Sequence, residues 1–467
     1  MSYQPQRRGC TATKQIRMTK SPDRSFREKN TMSAVTEGAF PAGAQGHSDR
    51  DLRSAMQKNT LRLLPILMLA YFFNYIDRTS VGFAALQMNK DIGLSATQFG
   101  WGAGIMFFSY CLLEVPSNMA MYHFGARRWI ARIMITWGLA AAATAFAVGP
   151  ISFYILRFLL GVFEAGFFPG VIWFLSIWYP TQSRTKVLAW FMAATPLSSV
   201  VGGPAAVSLL AMDGIGGIAG WQWMFIVLGL PAAFLGVACL WLLADEPKDA
   251  TWLTTAERDA LTSALASEKH EKPKKDLLAA LKDVRVLILT GITFSFTIGS
   301  YGIGIWLPLI LKGHNLSNMM IGWVSAIPYI FATVGMVAWA AVVSRSGRKI
   351  VNLVLALVLG AVGLILSVVF SSLIPAVAAL SLALIGTISA RTIFYTIPQG
   401  FLTGAAAAGG LAFINSVGAA GGFVGPFMVG WLKDTTGSYD AGMIGLAAVL
   451  GVAILLAASL KLVIKEQ

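Results

Sequence analysis

Long apolar runs separated by short polar stretches fill the chain from residue 61 to its end, and each run is long enough to cross a bilayer as a helix. About 20 apolar residues span a hydrocarbon layer of about 30 Å. Twelve segments are predicted on this basis, at 61–87, 98–122, 129–148, 150–179, 187–211, 221–244, 285–311, 319–343, 350–371, 374–402, 408–432 and 440–463. The fourth is long enough to contain a tilt or a break. Two stretches stand outside the pattern. Residues 1–59 carry eleven basic and five acidic residues and no apolar run, so they lack the apolar core of a cleaved signal peptide and are expected to form a disordered cytoplasmic tail. Residues 246–284 are polar and nearly charge-balanced, with periodicity enough for one or two short surface helices, and they divide the spans six and six.

The expected architecture is an all-α membrane protein of twelve transmembrane helices in two pseudo-symmetric six-helix bundles. The N-terminal bundle covers 60–245, a cytoplasmic central loop 246–284, and the C-terminal bundle 285–467. A turn of glycine and basic residues follows the second span of each half, GARR at 125–128 and GRK at 347–349, adding weak internal symmetry. In transporter folds built from parallel halves, the substrate site lies at mid-membrane between them.

Composition agrees with this pattern, because 56% of residues are hydrophobic and only 12% charged, against about 25% charged in soluble domains. The net charge of +14 could suggest nucleic acid, but its placement reads as orientation. Arg127, Arg128 and Arg132 follow the second span, Arg184 and Lys186 the fourth, and Arg345, Arg348 and Lys349 the eighth, whereas the opposite loops hold Lys90, Lys312 and Lys433. The positive-inside rule then places both termini and the long middle loop in the cytoplasm, with lipid and no nucleic acid as the surroundings. Cys10, Cys111 and Cys239 are scattered and odd in number, so no disulfide framework is expected. His47, His123, His270 and His314 lack metal-ligand spacing, and neither a metal nor another cofactor is expected.

Charges inside the spans change the picture most. Asp77, Arg78, Glu114, Arg157, Glu164 and Arg391 comprise three acids and three bases, each costing about 2.5–3.5 kcal/mol at the centre of a lipid-facing helix. Their sum, about 15–20 kcal/mol, exceeds the usual net stability of a fold, so they must face the interior or a wet cavity. Residues three, four or seven apart share a helix face. By that spacing Asn74, Asp77 and Arg78 point one way on the first span, Tyr110, Glu114 and Asn118 form a stripe on the second, Arg157 and Glu164 share a face of the fourth, and Arg391, Tyr395 and Gln399 share one on the tenth. Four polar faces could line one cavity, or the charges could lock helices together as buried pairs.

Arg391 gives the second half a mid-span cation with no acid of its own, so a ligand anion or an acid from the other half must meet it. A buried arginine stays charged and offers a planar fork suited to carboxylate. If a substrate carboxylate competes with Asp77 or Glu164 for Arg78 or Arg157, protonation of the acid frees the arginine, and binding of anion and proton become linked. No G-x-x-x-x-G-K-[ST] loop is present to cradle a nucleotide. Glycine- and alanine-dense stretches at 200–206, 403–413 and 416–426 allow close helix approach, for tight packing or for sliding during transport.

Several stretches, in order, are familiar. YFFNYIDRTSVGFAAL, EVPSN, GARRWIARIMITWG, LRFLLGVFEAGFFPGVIWFLSIWYP, GWQWMFIVLGLPA, IGWVSAIPY and INSVGAAGGFVGP together resemble the anion:cation symporter family of the major facilitator superfamily, over about residues 60–440. The likeness is greatest to bacterial tartrate, phthalate and sugar-acid permeases. The resemblance implies proton-coupled uptake of a small organic carboxylate, with Asp77 and Glu164 carrying protons, Arg78 binding substrate carboxylate, Arg157 pairing with the acids, and Tyr110 and Asn415 lining the site. Arg391, Tyr395 and Gln399 join the expected binding set by their spacing, with Asn74 and Glu114 as supporting polar groups. The chain departs from the family at Arg391, at Phe394 and Tyr395 where FW is frequent, and at VSRSGRK, which lacks the usual Asp-Arg pair. The expectation is a monomeric secondary transporter and not an enzyme, since no nucleophile with a base appears in the spans. An exporter or exchanger on the same fold, or a sensor that has lost transport, are the competing readings.

Overall fold

The computed structural model describes residues 42–268, 283–398 and 404–464. Residues 46–467 form one compact unit, and of the segment before it only 42–45 are described, as the start of the first helix. The helices are α1 (Ala42–Asp91), α2 (Ala96–Phe124), α3 (Ala126–Ala143), α4 (Pro150–Glu164), α5 (Phe167–Trp178), α6 (Thr181–Met192), α7 (Ala194–Leu210) and α8 (Gly220–Leu242). They continue as α9 (Thr255–Ser267), α10 (Val284–Lys312), α11 (Asn318–Ser346), α12 (Lys349–Val369), α13 (Leu373–Phe394), α14 (Gly404–Thr436) and α15 (Tyr439–Val463). No strand occurs among the described residues.

Eleven helical segments among the described residues are long and apolar enough to cross a membrane. The stretch expected as the first span lies within α1, where Arg62, Asn74, Asp77 and Arg78 dilute the apolar run. The twelve expected segments therefore fall on helices, the fifth across α6 and α7, with three further differences of detail. First, α1 begins at Ala42, so residues 42–59, expected in an unstructured tail, are helical. Second, the fourth segment is broken: Ala165 leaves the helical region and Gly166 adopts φ +88°, which ends α4 at Glu164 and restarts the helix as α5. A side chain at Gly166 would also meet Ser117 Oγ at 2.5 Å, so only glycine fits. Third, the helix expected to run to residue 402 ends at Phe394 in a turn that continues to Ile397.

The described part of the central loop, residues 246–268, is tied to α1. Thr254 caps α9, and Glu257 of its first turn accepts from Ser54 Oγ at 2.6 Å and Lys58 Nζ at 2.9 Å on the extended part of α1. Trp252 donates to Asn59 Oδ1 at 2.8 Å, stacks on Trp178 with centroids 5.4 Å apart, and lies under the guanidinium of Arg62 at 4.7 Å. These bonds explain why α1 continues beyond the membrane. Burial alone would raise the Glu257 carboxyl, but the bonds from Lys58, Ser54 and the Thr254 backbone outweigh it and hold the group at about 2. A carboxyl depressed on folding stabilises the fold above its unfolded value and ceases to as pH falls through the folded one. Glu257→Gln is expected to cost about 1–2 kcal/mol at neutral pH, most of it from charge-assisted bonds discounted for the half-exposed lysine. Thermal melts should show the gap to the wild type closing as pH falls from about 5 towards 2.

At the end of the molecule where α1 stops and α2 starts, α2 packs tightly on α14. Gly100 sits so close that an added Cβ would lie 2.4 Å from Pro426 O, and Trp306 Nε1 donates to that same carbonyl at 3.0 Å. Asp434 of α14 accepts from the backbone N–H groups of Ala96 and Thr97 at 3.2 and 2.7 Å. A carboxylate is well placed there, because a helix N-terminus has unpaired donors and partial positive charge. On the other side α7 meets α11 through Gly203 and Gly322. The stretches at 200–206 and 416–426 thus contribute to close helix packing, and most side chains of the stretch at 403–413 lie outside the described residues.

Candidate functional site

Tyr71, Asn74, Tyr75 and Arg78 recur at intervals of three and four, so they share one face of α1. That face meets the broken end of α4. Glu164 Oε1 accepts from Asn74 Nδ2 at 2.8 Å and from Arg78 Nε at 2.6 Å, and is ion-paired with Arg78 Nη2 as well. Arg78 Nη1 donates to Tyr301 Oη at 3.2 Å, and its guanidinium lies 5.0 Å from the Tyr110 ring centroid and 5.8 Å from that of Phe107. Glu164 Oε2 is buried without a hydrogen-bond partner among the described residues. Glu164 is the last residue of α4, and from that helix end its side chain reaches both donors on α1.

Asp77 does not share the direction of Asn74 and Arg78. It accepts from Trp137 Nε1 of α3 at 3.0 Å and is only 2% exposed. Arg157 is fully buried, and none of its three guanidinium nitrogens has a hydrogen-bond partner among the described residues. The charges that act on it are Asp77, Glu164 and Arg78, though no ion pair closes. The expected pairing of Arg157 with the acids is thus one of electrostatic proximity rather than of contact.

Between these helices and α10, α13 and α14 lies a cavity of about 160 Å³. Of the residues singled out in the sequence, Arg78, Tyr110, Glu114, Arg391, Tyr395 and Asn415 line it. Asn74, Asp77, Arg157 and Glu164 do not line it, and Gln399 lies outside the described residues. Tyr395 Oη donates to Asn415 Oδ1 at 2.8 Å, tying the turn after α13 to α14. Arg391 occupies the last turn of α13, where a cation complements the helix dipole. No acid lies in ion-pair reach of it among the described residues, and its surroundings are the phenols of Tyr75, Tyr395, Tyr301 and Tyr71. Glu114 meets Ser416 Oγ at 3.4 Å. A second recess of about 470 Å³ shares Glu114, Pro169 and Asn415 with the cavity and continues along α2 past Asn118 to Tyr122, away from the end closed by Asp434.

The chamber therefore presents two guanidinium groups among aromatic hydroxyls, one already held by a carboxylate and one with no anionic partner. Such a site can take a small carboxylate through paired N–H donors, with the phenols as further donors. Sequence spacing overlooked two contributions. Tyr71 and Tyr75 repeat with Arg78 on α1, and Thr293, Thr297, Ser300 and Tyr301 form a polar stripe on α10, both lining the cavity. The signal for each was the same three-and-four spacing applied to uncharged residues.

A chamber of paired and unpaired charges enclosed by membrane-crossing helices is that of a multi-pass solute transporter rather than an enzyme. Residues 67–426 match the Major Facilitator Superfamily, and the chain belongs to it. A protein of Agrobacterium vitis named "Putative tartrate transporter" is 47% identical over 86% of this chain and 94% of its own. A "Quinolone resistance transporter" of Acinetobacter baumannii is 42% identical over 84% of this chain and 91% of its own. The solved structure of a bacterial homologue of the human lysosomal transporter Spinster, inward-facing and occupied, superimposes with a TM-score of 0.68 at 15% identity, covering 87% of this chain and 97% of that one. That likeness places the chain in the major facilitator fold, and the close relatives agree with the anion:cation symporter type that the motifs resemble.

Proposed function

We propose that this transporter imports a small organic carboxylate together with protons, by alternating access between an N-terminal and a C-terminal six-helix half. The observation that carries the reading is Glu164 bonded to Arg78, which itself lines the chamber. An entering carboxylate offers Arg78 a replacement partner, and the released Glu164 is then relieved by taking a proton. Asp77 lies one position before Arg78 and is the second acid for the proton. Arg391, Tyr110, Tyr395 and Asn415 would complete the anion's contacts, and Arg157 and Asn74 would hold the acids in place. One proton moving down its gradient supplies about 1.4 kcal/mol per pH unit and about 2.3 kcal/mol per 100 mV, enough to drive uptake uphill.

The basic residues on alternate loops support an inner-membrane orientation with both termini and α9 on the cytoplasmic side. The Asp434 contact then closes the outer end, and the recess lined by Asn118 and Tyr122 leads inward. The carrier is read as a monomer. Tartrate, named for a close relative, is the first anion to test, and the resistance-named relative makes export the competing direction. Purified protein in liposomes should accumulate labelled tartrate when the interior is made alkaline, and dissipating the gradient should stop it. Accumulation that ignores the proton gradient overturns the symport reading.

A further inference from the structure

We propose that Glu114 is an additional proton-binding site of this carrier, protonated when the anion occupies the chamber and carrying that proton across with it. The inference rests on the proton-coupled reading above and extends it to a third acid. Glu114 is the one carboxylate among the described residues that line the chamber, and it lines the adjoining recess too. It stands in the passage between them. Unlike the other two membrane acids, it is not held in place: Glu164 has Asn74 and Arg78, Asp77 has Trp137, whereas Glu114 has a single long contact to Ser416 Oγ and no cation in ion-pair reach.

The groups facing Glu114 offer it no neutralising partner. From α1 comes Arg78, committed to Glu164, and from α2 itself Tyr110 and Cys111, whose thiol donates to Ser416 O at 3.0 Å. The α14 side supplies Asn415 and Ser416, and α5 supplies only Pro169 and Trp173. Arg391, Tyr301 and Tyr395 share the chamber, but Arg391 is the free cation that an anion requires. An ionised Glu114 next to an arriving carboxylate puts like charges together in a space poor in water. Protonation removes that repulsion and turns the group from an acceptor into a donor able to bond the anion. Charge balance points the same way. Arg78, Arg391 and Glu114 line the chamber, and with Glu164 paired to Arg78 these charges sum to zero, so a bound dianion leaves the site at −2 and protons on Glu164 and Glu114 restore neutrality. The proton is taken up with the anion while the outer end is open, and it leaves to water in the inward recess once the anion has gone.

The test is the proton-to-anion ratio, read in liposomes from the membrane potential at which net tartrate flux reverses under fixed gradients. Glu114→Gln should carry one proton fewer per tartrate than the wild type, and Glu114→Asp, which keeps a carboxyl, should restore the wild-type ratio. Equal ratios in the wild type and Glu114→Gln overturn the proposal. Infrared pH titration of the detergent-purified protein needs no substrate: the protonated-carboxyl band that grows on acidification should lose one group's amplitude in Glu114→Gln, and an unaltered band argues against Glu114. If wild-type liposomes move no tartrate, the transport reading fails for that anion, and the infrared titration still tells whether Glu114 takes up a proton.

Discussion

Glu164→Gln will abolish proton-driven accumulation while leaving some tartrate-for-tartrate exchange. The amide oxygen can still accept from Asn74 and Arg78, so the geometry at the end of α4 survives. What disappears is the ability to alternate between a charged and a neutral state, and with it the link between anion and proton. Removing the charge also leaves Arg157 with Asp77 as the remaining acid acting on it, and Arg78 with the more distant charges of Asp77 and Glu114. Breaking a buried pair costs about 3–5 kcal/mol in unfavourable cases, and the retained amide oxygen should keep the loss below that. Liposome uptake with and without an imposed pH gradient reads the first effect, and an unchanged pH dependence in the variant would move the coupling proton to another acid.

Arg78→Lys should weaken anion binding about 10- to 100-fold, corresponding to about 1.5–3 kcal/mol for lost charge-assisted bonds. An ammonium cannot reproduce three simultaneous roles of the guanidinium: the bonds to Glu164, the donation to Tyr301, and the cation placed over the Tyr110 ring. Binding of tartrate to purified protein, followed by calorimetry, checks this. Wild-type affinity in Arg78→Lys would remove the residue from the site.

Much of this arrangement was legible in the sequence because of a single physical constraint. Charges cannot face lipid, so Arg78, Glu114 and Arg391 had to turn towards a shared interior, and they line one cavity. Hydropathy located the helices for the same reason. Less could be read where the outcome depended on local partners. Asn74, Asp77 and Arg78 fit one face by spacing, yet Asp77 turns to Trp137, because the indole N–H on α3 supplies a donor that periodicity along α1 cannot reveal. The helical extension of α1 was also hidden. Its composition is that of a solvated tail, and what orders residues 54–59 is Glu257 and Trp252, about 200 positions along the chain. Tyr75 and Tyr301 escaped notice because an uncharged phenol in a span looks like part of the interfacial belt until its partners are known.

The carboxylate of Asp434, seated on the first backbone amides of α2, has a wider consequence. It lies 19 positions along α14 from Asn415, about 28 Å on an ideal helix, so it belongs to a different region from the anion's own contacts. The bond weights the arrangement in which α2 and α14 meet at this end, without touching the groups that contact the anion. Resting preference and grip are therefore set by separate residues, and a carrier built in this way can have its turnover retuned while its choice of cargo stays the same.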